Sequence, residues 1–301
     1  MGYMIPDLQA ASLPLAGTEE FEIWQNGSRR VRLLDLLPGF DNQLTVDLAN
    51  DSDAAKGAAM VGGLIANNLT INVPADQPTI AAAMDYLRGY TIARGAVVTI
   101  QVADGTYTVT GSVSLNHLQG GRIQLLGNQL APANCVITVA TGATFDGFVC
   151  SGGNTFGLLD GFTITRPTKA EMPINTTAIL AVQGSAIICG PNIVVSNWFY
   201  GIAARDGSYV YCPNAKVSNS GDVGIWSFCG STVICHGATS TGANAAGYSW
   251  GFGFQAEYGA TLVGTGLTAS GCKIAGIAAL TNGTVRAFGA TVSSNTGSGF
   301  Y

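Results

Sequence analysis

"GIWSFCGSTVICHG" (residues 224–237) sets Cys229, Cys235 and His236 close together and also contains a glycine-apolar pair, Gly224-Ile225, that recurs along the chain. The pair reappears as Gly201-Ile202, Gly251-Phe252, Gly276-Ile277 and Gly299-Phe300, at spacings of 23, 27, 25 and 23 residues. Inside each interval lies a short strand pattern with two apolar or small residues two apart: Val210/Cys212, Val233/Cys235, Leu262/Gly264 and Val285/Ala287, with Ile187/Cys189 one interval earlier. Ala215, Ala238, Leu267 and Ala290 follow, and then Val217, Ser240, Ala269 and Val292. Alternate strand residues face opposite sides, so each interval supplies one inward stripe broken by turns. A unit of about 20–30 residues cannot bury its own stripe, and successive units must stack as coils. The longest interval places its extra residues at "TGANAAGYSW" (241–250), where a loop can bulge outward.

The repeat also settles the thiols. Cys189, Cys212 and Cys235 occupy one inward position at intervals of 23 residues, which Gly264 and Ala287 fill in later coils. A thiol there is a small hydrophobe. Zinc requires converging ligands, whereas His236 next to Cys235 on a strand points to the opposite side. No metal and no cofactor is expected.

Composition agrees with a stacked coil. Of the 301 residues 41 are glycine and only 10% are charged, a profile of β-solenoids and fibres more than of ordinary enzymes. A net charge of -5 and an isoelectric point near 4.9 give no footprint for nucleic acid or an anionic membrane. The mean hydropathy of +0.31 arises without any run of twenty apolar residues, so no membrane insertion is expected. The opening "MGYMIPDLQ" carries neither a basic n-region nor an apolar h-region, and no secretory signal is expected. Seven cysteines in a chain made in a cytosol are expected to stay reduced.

Upstream, "ADQPTIAAAMDYLRGY" (75–90) predicts a helix with Asp76 as N-cap, Pro78 in the first turn, Ile80, Met84 and Leu87 on one face, and Gly89 as the stop. "VVTIQVADGTY" (97–107) follows as a strand ending in an Asp104-Gly105 turn. A helix over the first coil covers its unpaired edge. At the front, "FEIWQ" and "RRVRL" alternate around Asn26-Gly27, a hairpin signal with Glu19, Glu20 and Glu22 opposite Arg29, Arg30 and Arg32. About forty residues make too small a core to stand alone, so this module is expected to dock on a partner.

The helix followed by "TIQVADGTY" and "GLLDGFTIT" (157–165) resembles the opening of the pectin-lyase-like right-handed parallel β-helix, over roughly residues 71–301. "LTVDLANDSDAAKGAAMVG" (44–62) resembles the neck that precedes this fold in bacteriophage tailspikes, and "LPLAGTEEFEIWQNGSRRVRLLDLL" (13–37) resembles the virion-binding module of phage tail fibres. The resemblance implies a virion-binding module over 1–40, a neck over 41–70 and a β-helix from 71 to 301; since Gly299-Phe300 opens a coil with no capping element after it, the coil is expected to continue past 301 or to be covered there by a partner. It further implies a homotrimer in the virion tail, made in the cytoplasm of a bacterial host. Such a spike docks through its N-terminus on a tail, baseplate or adaptor protein, and Trp24, Arg29, Arg30 and Arg32 are the docking candidates. The expected function is attachment to a bacterial surface glycan, with polysaccharide cleavage by a hydrolase or lyase as the alternative.

For cleavage the usual machinery is two carboxylates about 5–9.5 Å apart. The coil offers Asp146, Asp160, Glu171, Asp206, Asp222 and Glu257. Asp206 and Glu257 sit in matching turns two coils apart, roughly 10 Å by stacking alone. They read first as solvated turn acids and second as a catalytic pair. Tyr209 and Tyr211 flank inward Val210, and Trp226 follows inward Ile225, so all three face outward. They serve as a sugar-stacking surface or as a subunit interface. His117 and His236 follow no nucleophile-elbow sequence.

Overall fold

A computed structural model of the chain describes residues 20–23, 29–32, 60–61, 63–168, 172–244, 247 and 249–301. The chain divides into two units, Met1–Gly62 and Gly63–Tyr301. In the first, Glu20–Ile23 pairs antiparallel with Arg29–Arg32, with Glu20 opposite Arg32 and Glu22 opposite Arg30. Trp24, the side chains of Arg29, Arg30 and Arg32, most of the 1–40 module and residues 41–59 of the neck lie outside the described residues.

The second unit is an all-β parallel β-helix. Three parallel sheets wind around one interior, and each coil gives one strand to each sheet. The first face has nine strands, from Leu69–Val73 to Thr284–Phe288; the second has eight, from Gly105–Val109 to Thr291–Ser293; the third has eight, from Val113–Ser114 to Ser298–Phe300. Every strand pairs with its equivalent in the next coil. Ile187, Val210, Val233, Leu262 and Val285 align on the first face, and Val217, Ser240, Ala269 and Val292 on the second. Cys189, Cys212 and Cys235 are buried, unbridged thiols, and burial pushes each of them above the usual thiol range, away from the reactive thiolate.

The third face corrects one register. Ile202 pairs with Ile225, Ile225 with Phe254, and Phe254 with Ile277, so the repeating pair in the sixth coil is Gly253-Phe254 and not Gly251-Phe252. The glycine spacings are therefore 23, 29 and 23 from Gly201 to Gly276, and the insertion is six residues. A Cβ at Gly201, Gly224, Gly253 or Gly276 would run into Val217, Ser240, Ala269 or Val292, the inward ladder of the second face. The glycines are thus required by the close approach of two sheets. Both members of each pair point inward, which breaks strict alternation and bends the strand. Their outward neighbours, Tyr200 and Ala203 or Val223 and Trp226, fall into a single cluster on the concave outer side of that bend.

Gly201→Val would overlap both Val217 and the Gly224 carbonyl of the next coil. The expected loss is about 3 kcal/mol or more, since neither neighbour can yield without shifting backbone, and it is read from the urea unfolding midpoint.

The helix spans Ile80–Leu87 and buries Ile80, Ala83, Met84 and Leu87 against strands Leu69–Val73, Val98–Val102 and Val113–Ser114. Its N-cap is Thr79, whose Oγ1 accepts from the Ala82 N–H at 3.0 Å. Asp76, the residue expected there, instead accepts from Asn72 N at 2.7 Å and Asn72 Nδ2 at 3.0 Å, and Pro78 precedes the first turn.

Among the described residues, Asp160 and Arg166 are charged groups buried in the stack. Asp160 accepts from Gln129 Nε2 (2.7 Å), Asn192 N (2.8 Å) and Asn192 Nδ2 (3.2 Å). Arg166 donates to the carbonyls of Ala143 (2.6 Å) and Phe145 (2.9 Å) and lies 4.2 Å from the Trp198 ring centroid. Arg166→Met keeps the stem but leaves both carbonyls unpaired, and a loss of about 3 kcal/mol in the same unfolding measurement is expected. No described helix is long and apolar enough to cross a membrane.

Candidate functional site

The concave outer side of the third face is an aromatic cleft. Tyr200, Val223 and Phe252 share one register position ahead of the inward glycines, and Trp226 stands beyond the bend. Tyr200 and Trp226 stack with centroids 4.5 Å apart and planes at 27°. Trp226 meets Phe228 at 4.6 Å, and Phe228 meets Tyr258 edge-on at 5.2 Å. Trp250, from the inserted loop, stacks on Phe252 at 6.3 Å. Together with Asp222, Gln255, Glu257 and Leu280 these rings line a cleft of about 450 Å³. Trp226 is only 7% exposed, while Trp250 (58%) and Tyr258 (52%) form an open rim. The Arg205 guanidinium lies 5.6 Å from the centroids of both Trp226 and Phe228.

Charge enters through Asp222 and Glu257. Asp222 is fixed at the mouth of its strand by backbone bonds to Phe199 O and from Phe252 N, both 2.9 Å. Burial, and then the nearby Glu257 carboxylate, push its carboxyl up to about 7. Burial also raises Glu257, against the lowering effect of a short hydrogen bond donated by Gln255 Nε2 to Glu257 Oε2. Three polar atoms here are buried without any partner: Asp222 Oδ1, Gln255 Oε1 and Trp226 Nε1. Such orphans are costly unless something binds to them.

Asp222 makes stability pH-dependent. An unfolded Asp titrates near 3.9, so between about pH 4 and 7 the folded state binds more protons than the unfolded one, and stability falls as pH rises through that window. Asp222→Asn removes this loss. It is expected to raise the unfolding free energy at pH 8 by on the order of 2 kcal/mol, a value discounted for partial solvation, and to leave it nearly unchanged at pH 4.

The residues singled out in the sequence fall in several places. Asp206 occupies the turn between the third and first faces with left-handed backbone (φ 56°), and its carbonyl accepts from Gly184 N. Ala204, Ser227 and Ala256 share one register position, so, two residues on, Asp206 matches Tyr258 and not Glu257, which ends a strand; the acid that lines the cleft with Glu257 is Asp222. Tyr209 and Tyr211 project from the first face and align with Ala186 and Thr232 or with Ile188 and Ile234. They are therefore apart from Trp226, which lies on the third. Among the described residues, no three His, Cys, Asp or Glu side chains converge as a metal site, and His236 Nδ1 instead accepts from Thr265 N at 3.2 Å. Asp222 stood among the acids read from the sequence but was not paired with Glu257, and Gln255, Tyr200, Phe228 and Trp250 were not selected. The available signal, for Tyr200 and Asp222 alone, was a bulky or acidic residue one or two positions before an inward glycine, as in "FYGI" (199–202) and "DVGI" (222–225).

Comparison with protein-family models, with curated proteins and with solved structures gives no match in any of the three.

Proposed function

We propose that the cleft binds a polysaccharide of a bacterial surface and that the chain is the rod of a bacteriophage tail spike or fibre. The observation that carries the reading is a concave aromatic surface next to three unpaired buried polar atoms, Asp222 Oδ1, Gln255 Oε1 and Trp226 Nε1. Flat rings stack on the apolar faces of sugars while such polar atoms exchange hydrogen bonds with the ring substituents. A stacked β-helix holds this surface rigid, so little ordering cost falls on binding. The phage assignment draws on the neck-like segment 44–62 and the front segment 13–37. It carries with it a trimeric assembly, docking on a tail or baseplate protein through the N-terminal module, and a virion location.

Immobilised capsule and lipopolysaccharide from a panel of bacteria test the reading. Retention of the full chain by at least one of these glycans, competed by the same glycan in solution, is the expected result. Absence of retention across the panel, together with absence of the chain from phage particles by immunolabelling, would overturn it.

One observation favours a second reading, cleavage of the bound glycan. A carboxyl near 7 that shares a cleft with a second carboxyl matches the proton donor and base of glycoside hydrolysis. In this reading Asp222 protonates the leaving oxygen as the glycosidic bond breaks, while Glu257 takes a proton from the water that bonds to the anomeric carbon. New reducing ends that vanish in both Asp222→Asn and Glu257→Gln are expected if the reading holds, and none with a retained glycan would leave attachment alone.

A further inference from the structure

We infer that the cleft takes an interior stretch of a linear, uncharged glycan lying across the coil axis, with one sugar against Trp250 and another against Tyr258. The inference rests on the glycan-binding reading above and gives that site a direction and a class of chain.

Two rings of the cleft are open, and they flank one strand. Trp250 and Tyr258 both line the cleft and are 58% and 52% exposed, whereas Trp226 is covered by Tyr200. Trp250 precedes the strand Phe252–Glu257 and Tyr258 follows it. Six extended residues span roughly 20 Å before the bend shortens the path, too far for a single sugar to touch both rings. Each open ring is braced by another, Trp250 by Phe252 with planes at 24° and Tyr258 by Phe228 edge-on at 79°. Stacking a sugar on either therefore orders little that is not already held.

Turn lengths show where a chain passes. At the corner between the second and third faces, the short turns 197–199 and 219–222 lie between two long ones, 166–176 and 242–251. The long turns are three strand spacings apart, roughly 14 Å, and carry the exposed Ile174 and Trp250. At the corner between the third and first faces, the turns 205–208, 229–231, 258–260 and 281–283 are all short. A chain crossing the face thus enters between the long turns and leaves past Tyr258, and no long turn closes either end around a terminal sugar. Asp222 and Glu257 line the path and no basic side chain does. Their oxygens accept from sugar hydroxyls, while an acidic sugar meets like charge.

The test takes an uncharged polysaccharide retained in the panel above, cuts it to graded lengths, and titrates it with the full chain by calorimetry. Affinity is expected to rise with length until both rims are engaged and then to level, while the number of protein copies bound per glycan chain keeps rising. Trp250→Ala and Tyr258→Asn are each expected to weaken the long fragments by about tenfold, and Trp250→Phe to restore most of that loss. Asparagine suits the left-handed backbone at Tyr258 (φ 52°), and an unchanged thermal unfolding midpoint by circular dichroism shows that each variant is folded. One copy bound per chain at every length, or a loss confined to one of the two rims, would overturn the inference and leave a glycan cleft in place. Retention of acidic polysaccharides alone would overturn it as well. If no polysaccharide is retained, the glycan reading falls and this inference falls with it.

Discussion

Phe254→Ala is expected to lower the unfolding free energy by about 3–5 kcal/mol, and Phe252→Ala, two residues away, by only about 2 kcal/mol. Phe254 is fully buried and occupies the interior ladder between Ile225 and Ile277. Truncating it leaves an enclosed cavity that rigid stacked coils on both sides cannot collapse, so a cavity cost adds to the lost transfer free energy. Phe252 is also nearly buried but belongs to the outer cluster at the edge of the cleft, where the neighbouring rings can close over a truncated side chain more readily than stacked coils can. Urea unfolding followed by circular dichroism separates the two. A larger loss at Phe252 would mean that the Gly251-Phe252 register is the true one and that the elbow is misplaced.

Trp226→Ala should reduce affinity for the retained polysaccharide by about 100-fold, the loss expected when a buried aromatic anchor at the centre of a site is removed. Its indole is nearly buried, stacks on Tyr200 and packs against Phe228, so truncation removes the ring that holds the aromatic wall of the cleft in place. Tyr209→Ala and Tyr211→Ala provide the contrast, because these rings stand on the first face. Affinity in either is expected to stay within about twofold of the parent by titration calorimetry, as for residues outside a hot spot. A loss at Tyr211 equal to that at Trp226 would move the site off the elbow.

The coil was legible because its signal repeats. Val210, Val233, Leu262 and Val285 recur with the strand period inside a near-constant interval, and side-chain alternation alone places them inward. The sixth coil misled because "GFGF" (251–254) contains two glycine-phenylalanine pairs, and only hydrogen-bonded pairing with Ile225 and Ile277 decides between them. The helix cap failed for a related reason: Asp76 and Thr79 are both good capping residues, and the chain needed Asp76 for the Asn72 turn. The cleft was the least legible part. Asp222 and Glu257 are 35 residues apart in sequence and lie at opposite ends of their strands. What brings them to one cleft is the bend at the inward glycines, and a bend caused by two consecutive inward residues violates the alternation from which outward positions are read.

The central claim is that a sugar occupies the elbow of the third face. A structure of the full chain with a fragment of the polysaccharide it retains tests that claim. The expected result is a sugar ring in the cleft against the exposed rim rings Trp250 or Tyr258, with a substituent hydrogen-bonded to Asp222 or Glu257. A fragment bound instead beside Tyr209 and Tyr211, or along the outward hydroxyls of Thr239 and Thr268, with the elbow empty, would contradict it.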